Sequence, residues 1–135
     1  MVSATSVIFF FFGLSVVLSL TPSEWDMAWM NAEAKCEHLM KMKSVDKKTL
    51  ITKLNDVPRR AKCFVSCFFD EVGLTNGTEI NDELYTGWLQ EELAHSKNKN
   101  AIISSVKECV AGIKKIEKCE TAFSLYECFG KRYFT

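Results

Sequence analysis

From Glu24 to Lys43, Trp25, Trp29, Ala32, Cys36, Leu39 and Met40 recur at helical spacing, which predicts an amphipathic helix with one buried stripe. Asp46 is placed to cap a short second helix carrying Leu50, Leu54 and Val57. Pro58 ends it, because the residue before a proline avoids helical backbone angles. A third helix is predicted over residues 59–72. Gly73 is its terminating position, and the turn-rich Leu74-Thr75-Asn76-Gly77-Thr78 follows. A fourth helix is expected from Ile80 to His95, with Ile80, Leu84 and Trp88 on one face. The polar run Ser96-Lys97-Asn98-Lys99-Asn100 interrupts the pattern. A fifth helix then carries Ile103, Val106, Val110 and Ile113, and Thr121 is expected to cap a sixth with Ala122, Leu125 and Phe129. Strand-like alternation of useful length and internal repeats are both missing from the sequence, so the fold class read here is all-α.

The amino terminus does not fit the amphipathic pattern. Residues 7–20 are one apolar run, and residues 1–23 carry no charged side chain. The run is shorter than a bilayer span, and charged sequence follows closely. Residues 1–19 therefore read as a secretory signal peptide, with cleavage between 19 and 23. Residues 24–135 then form one secreted, extracellular helical domain with no membrane span. Four of the ten phenylalanines fall in the leader and belong to no core. The remaining chain balances 17 basic against 17 acidic side chains. That balance, with no basic block, leaves no electrostatic footprint for nucleic acid.

Six cysteines change the picture more than charge does: Cys36, Cys63, Cys67, Cys109, Cys119 and Cys128. Cys63 and Cys67 lie one helical turn apart, side by side on one face, a placement that suits either two ligands of one metal or two bridges to separate partners. His38 neighbours Cys36, but no second Cys-x-x-Cys or histidine pair completes a zinc spacing. A redox Cys-x-x-Cys needs two intervening residues, and this pair has three. An even count in an oxidising compartment favours three disulfides, with no metal and no cofactor. Cys63 and Cys67 are poorly placed to bond each other, but spacing leaves the pairing open among fifteen connectivities in all.

Other chemistry is sparse. Asn76-Gly77-Thr78 is a glycosylation sequon in a loop, and equally a plain turn. The chain has two histidines, His38 and His95, read as solvated. The adjacent carboxylates Asp70-Glu71, Asp82-Glu83 and Glu91-Glu92 read as helix surface. No nucleophile elbow, His-Glu-x-x-His or phosphate loop is present, so the chain is not read as an enzyme.

The cysteine spacing is Cys36-x26-Cys63-x3-Cys67-x41-Cys109-x9-Cys119-x8-Cys128. It resembles the six-cysteine pattern of insect odorant-binding proteins, the pheromone and general odorant-binding family. Lys62-Cys63-Phe64-Val65-Ser66-Cys67 is similar to that family's third-helix motif, and Cys119-Glu120-Thr121-Ala122-Phe123-Ser124-Leu125-Tyr126-Glu127-Cys128 to its last-helix motif. The resemblance implies a compact six-helix domain with three interlocked disulfides around an internal apolar cavity. It further implies the pairs Cys36–Cys67, Cys63–Cys119 and Cys109–Cys128.

The function it implies is a secreted carrier that takes small hydrophobic odorants or pheromones through aqueous lymph. The expected partners are such a ligand and a chemosensory receptor, the chain itself acting as a monomer or weak homodimer. The alternative is a non-olfactory secreted protein of the same fold that binds a lipophilic ligand or a protein partner. The inward stripes give the expected cavity lining: Phe68, Ile80, Leu84, Trp88, Ile103, Val106, Val110, Ile113 and Phe123, with Met30 and the tail residue Phe134. Tyr85 or Tyr126 is expected either to offer a hydroxyl to the ligand or to lie at the surface.

Overall fold

The computed structural model of the chain describes residues 22–42 and 57–133. These hold five helices: α1 (Pro22–Met40), α2 (Arg59–Val72), α3 (Asp82–Glu92), α4 (Lys99–Ala111) and α5 (Lys118–Tyr133). A short antiparallel hairpin, β1 (Thr75–Asn76) and β2 (Glu79–Ile80), joins α2 to α3. The protein is all-α. The helix expected between Asp46 and Val57 lies outside the described residues except for Val57, which packs half-buried against the core.

Helix ends explain where the chain turns. Gly73 takes a left-handed φ of 85°, the position where a side chain would strain the backbone. The amide of Leu74 then donates to the Phe69 carbonyl and that of Gly73 to Asp70, closing a Schellman motif on α2. α1 ends the same way without glycine: Lys41 has φ 52°, and Met42 N–H donates to Glu37 O at 3.1 Å. Arg60 donates to the carbonyls of Met40 and Lys41, so the first turn of α2 satisfies the last carbonyls of α1.

Two starts differ from the sequence expectation. α3 begins at Asp82 rather than Ile80, because Ile80 pairs with Thr75 in the hairpin. Asn81 then caps α3, its side-chain oxygen accepting from Leu84 N–H at 3.1 Å. Each strand has two residues, too short to leave an alternation that sequence reading can find. α5 begins at Lys118, ahead of the Thr121 cap expected for it. The carboxylate of Glu117 accepts from the amides of Cys119 and Glu120, both at 3.0 Å, and fills the capping role one turn earlier. Thr121 is consequently inside the helix and fully buried.

α5 is the central element. Cys119, Thr121, Ala122, Phe123, Leu125, Cys128 and Phe129 are all buried, which leaves little of its circumference in water. α2 packs most extensively on α5, α1 lies against α2, and α4 covers α5 from another side. α2 presents Ala61, Phe64, Val65 and Phe69 to this core, a stripe at positions i, i+3, i+4 and i+8. Three disulfides bind the layers: Cys36–Cys67 joins α1 to α2, Cys63–Cys119 joins α2 to α5, and Cys109–Cys128 joins α4 to α5. These are the pairs implied by the resemblance. The two neighbouring thiols of α2 leave the helix for different partners.

Candidate ligand-binding site

The apolar stripes converge on a continuous set of aromatic rings. Trp29 of α1 lies 4.7 Å from Phe68 of α2 and 5.3 Å from Trp88 of α3, between ring centroids. Trp88 lies 5.1 Å from Phe129 of α5, which also meets Phe69 at 6.0 Å and Tyr85 at 5.7 Å. Four helices thus each contribute rings to one cluster. The contacts are tilted or edge-on, the arrangement favoured by ring quadrupoles. Phe69, Tyr85, Trp88 and Phe129 are buried, whereas Trp29 and Phe68 are half-buried.

Several polar groups lie on the helices that carry these rings. Burial pushes the Tyr85 phenol up to about 12, and the carboxylate of Asp82, hydrogen-bonded to it, adds to the rise. Tyr126 is half-buried, stacks on Phe123 at 6.1 Å, and its phenol is raised by burial. Neither tyrosine is a surface residue. The Lys62 ammonium stands 5.2 Å over the Phe123 ring and 3.1 Å from Glu120 Oε1. Among the described residues, the Thr121 hydroxyl is buried without a hydrogen-bond partner, an unusual condition for a polar group in a core.

At the junction of α2 and α5, Arg59 donates to both oxygens of Glu117, at 2.8 and 3.2 Å. This hydrogen-bonded pairing raises the Arg59 pKa further. The Arg59 hydrogen bonds, followed by those from the Cys119 and Glu120 amides, hold the Glu117 carboxyl down to about 2.

Residues 21–132 match the profile of the PBP/GOBP family. The chain belongs to that family. It is also 30% identical over 129 residues to general odorant-binding protein 56a of Drosophila melanogaster, a match covering 95% of this chain and 88% of that protein. No solved structure matches it. Membership in the PBP/GOBP family makes the chain a small-ligand-binding protein of the carrier kind.

The PBP/GOBP domain distributes the expected lining residues unevenly. Leu84, Trp88, Ile103, Val106, Val110 and Phe123 are buried in one contiguous core cluster, with Phe68, Ile80 and Ile113 half-buried against it. Met30 does not join them. It is 69% exposed, because it follows Trp29 and therefore sits about 100° round α1 from the buried stripe. Leu39, expected on that stripe, is also exposed. Phe134 lies outside the described residues. Trp29, Phe69 and Phe129 were absent from the expected lining. The signal for them was present in the same helical stripes, but nothing in one helix says which of its buried residues meets the other helices' rings.

The described surface also carries open grooves, two of which are large. One, of about 580 Å³, runs between α3 and α4 and includes Asp82, Glu83, Glu91 and Lys107. The other, of about 740 Å³, is lined by Ile113, Ile116 and the Cys109–Cys128 bridge, with Glu108, Glu117, Glu120 and Glu127 around them. Among the described residues, no group of three or more His, Cys, Asp or Glu is placed to hold a metal, and no helix is long and apolar enough to cross a membrane.

Proposed function

We propose that this protein is a secreted carrier of small lipophilic molecules, odorants or pheromones, which it moves through aqueous lymph toward chemosensory receptors. The observation carrying this reading is the ring cluster shared by α1, α2, α3 and α5, in a domain of the PBP/GOBP family. The relative in Drosophila melanogaster is named for odorant binding, which supports the same ligand class.

A guest seated among these rings would give up apolar surface that water otherwise wets. Burial of about 300 Å² gains about 7 kcal/mol, so micromolar affinity is the scale expected before ordering costs. Disulfide cross-links let such a small domain tolerate space that close packing would otherwise have to fill. The proposed contact set is Trp29, Phe68, Phe69, Trp88 and Phe129, backed by Leu84, Val106, Val110 and Phe123. Ile80, Ile103 and Ile113 complete the apolar surround. The carrier acts as a monomer or weak homodimer, after loss of residues 1–19.

The test is displacement of a fluorescent apolar probe from the fully oxidised protein by a panel of volatile alcohols, esters and hydrocarbons. Saturable displacement by some members and not others is expected. A protein with all three disulfides that binds neither probe nor panel would sink the carrier reading.

A further inference from the structure

We propose that Asn76 carries an N-linked glycan, displayed on the outer face of the hairpin between α2 and α3. Asn76-Gly77-Thr78 is the one Asn-x-Ser/Thr sequence in the chain. In the structure it occupies a two-residue turn, with Thr75 paired to Ile80 and Asn76 paired to Glu79. Successive strand residues point to opposite faces. Thr75 is accordingly buried and Ile80 half-buried, while Asn76 and Glu79 are exposed. The sequon asparagine is therefore on the exposed face of the hairpin, and an oligosaccharide there meets solvent.

The turn itself holds the sequon open. Gly77 has φ 67°, and no atom lies within 4 Å of where its Cβ would be. A positive φ at the first central position is the habit of a type II′ hairpin turn, which favours glycine there. Beneath the turn, Asp70 accepts from the Thr75 hydroxyl and, at 3.3 Å, from the Gly77 amide. Those bonds tie the inner side of the hairpin to α2 and leave the Asn76 side chain outside the anchoring network. They also engage the Gly77 nitrogen, the nucleophile that would otherwise attack the Asn76 side chain and deamidate it.

The modification needs a lipid-diphosphate-linked oligosaccharide as co-reactant in the secretory lumen. The bond from the sugar's anomeric carbon to the diphosphate breaks, a bond from that carbon to Asn76 Nδ2 forms, and one amide proton is lost as the lipid diphosphate leaves. No electrons are exchanged with an outside agent. The inference rests on the secretory reading of residues 1–19 and is independent of ligand carriage.

Expression of the full chain in insect cells, with intact-mass and peptide mapping of medium and cell fractions, tests it. Secreted protein heavier by one oligosaccharide, with the mass mapped to Asn76, is expected. Asn76→Gln and Thr78→Ala should each abolish the added mass, and Thr78→Ser should keep it. The exposure of Asn76 predicts that secreted yield survives Asn76→Gln. Secreted chain with Asn76 unmodified or deamidated overturns the glycan alone. Chain retained unmodified in the cytosol overturns both the glycan and the secretory reading, and the fraction holding the protein tells the two failures apart.

Discussion

The carboxylate of Glu117 accepts from both terminal nitrogens of Arg59 and from the amides of Cys119 and Glu120. One side chain thereby caps α5 and ties it to the start of α2. Sequence reading put the cap at Thr121, a better intrinsic capper. A glutamate takes that place here because an arginine far away in sequence orients it, which no local pattern can reveal. The sign of its pH effect follows from its depressed pKa of about 2. Ionised Glu117 favours the folded state fully above the ordinary carboxylate range, and that contribution fades as pH falls toward 2. Glu117→Gln should therefore melt below the wild type at pH 7, and the gap should close on acidification. Thermal unfolding between pH 7 and pH 2 measures it, and a gap that stays constant with pH would count against this role.

Helices α1, α2 and α4 were legible because each carries its buried residues on one stripe. The hairpin was not, since four strand residues are too few to show a period. Disulfides act at this scale by tying one element to another. Their separations are 31 residues for Cys36–Cys67, 56 for Cys63–Cys119 and 19 for Cys109–Cys128. In the loop-closure account each stabilises by about 3 to 4 kcal/mol, with the longest loop ahead of the shortest by roughly 1 kcal/mol. Paired serine substitutions at Cys63 and Cys119 are expected to cost more than the same change at Cys109 and Cys128. Urea unfolding of the two variants ranks them, and the reverse order would show that packing, not chain entropy, governs these bridges.

All three tryptophans belong to or touch the ring cluster, Trp25 lying 6.3 Å from Trp29. Intrinsic emission therefore reports on the whole proposed site. Titration with an apolar ligand is expected to shift or quench it saturably. Trp29→Ala should weaken that binding about tenfold, the loss of roughly one aromatic contact with the guest, and should also lower thermal stability, because Trp29 packs against rings of α2 and α3. Emission indifferent to every ligand that displaces the probe would place the guest elsewhere. By itself the sequence determined the helical class, the disulfide framework through its resemblance, and most of the apolar faces, because periodicity and cysteine spacing are local and countable. Tertiary structure decided which faces meet. It turned Met30 outward, brought Trp29, Trp88 and Phe129 together from three helices, buried Thr121, and set Glu117 under Arg59. Those outcomes depend on helix orientation and contacts between distant residues, quantities that no window of sequence contains.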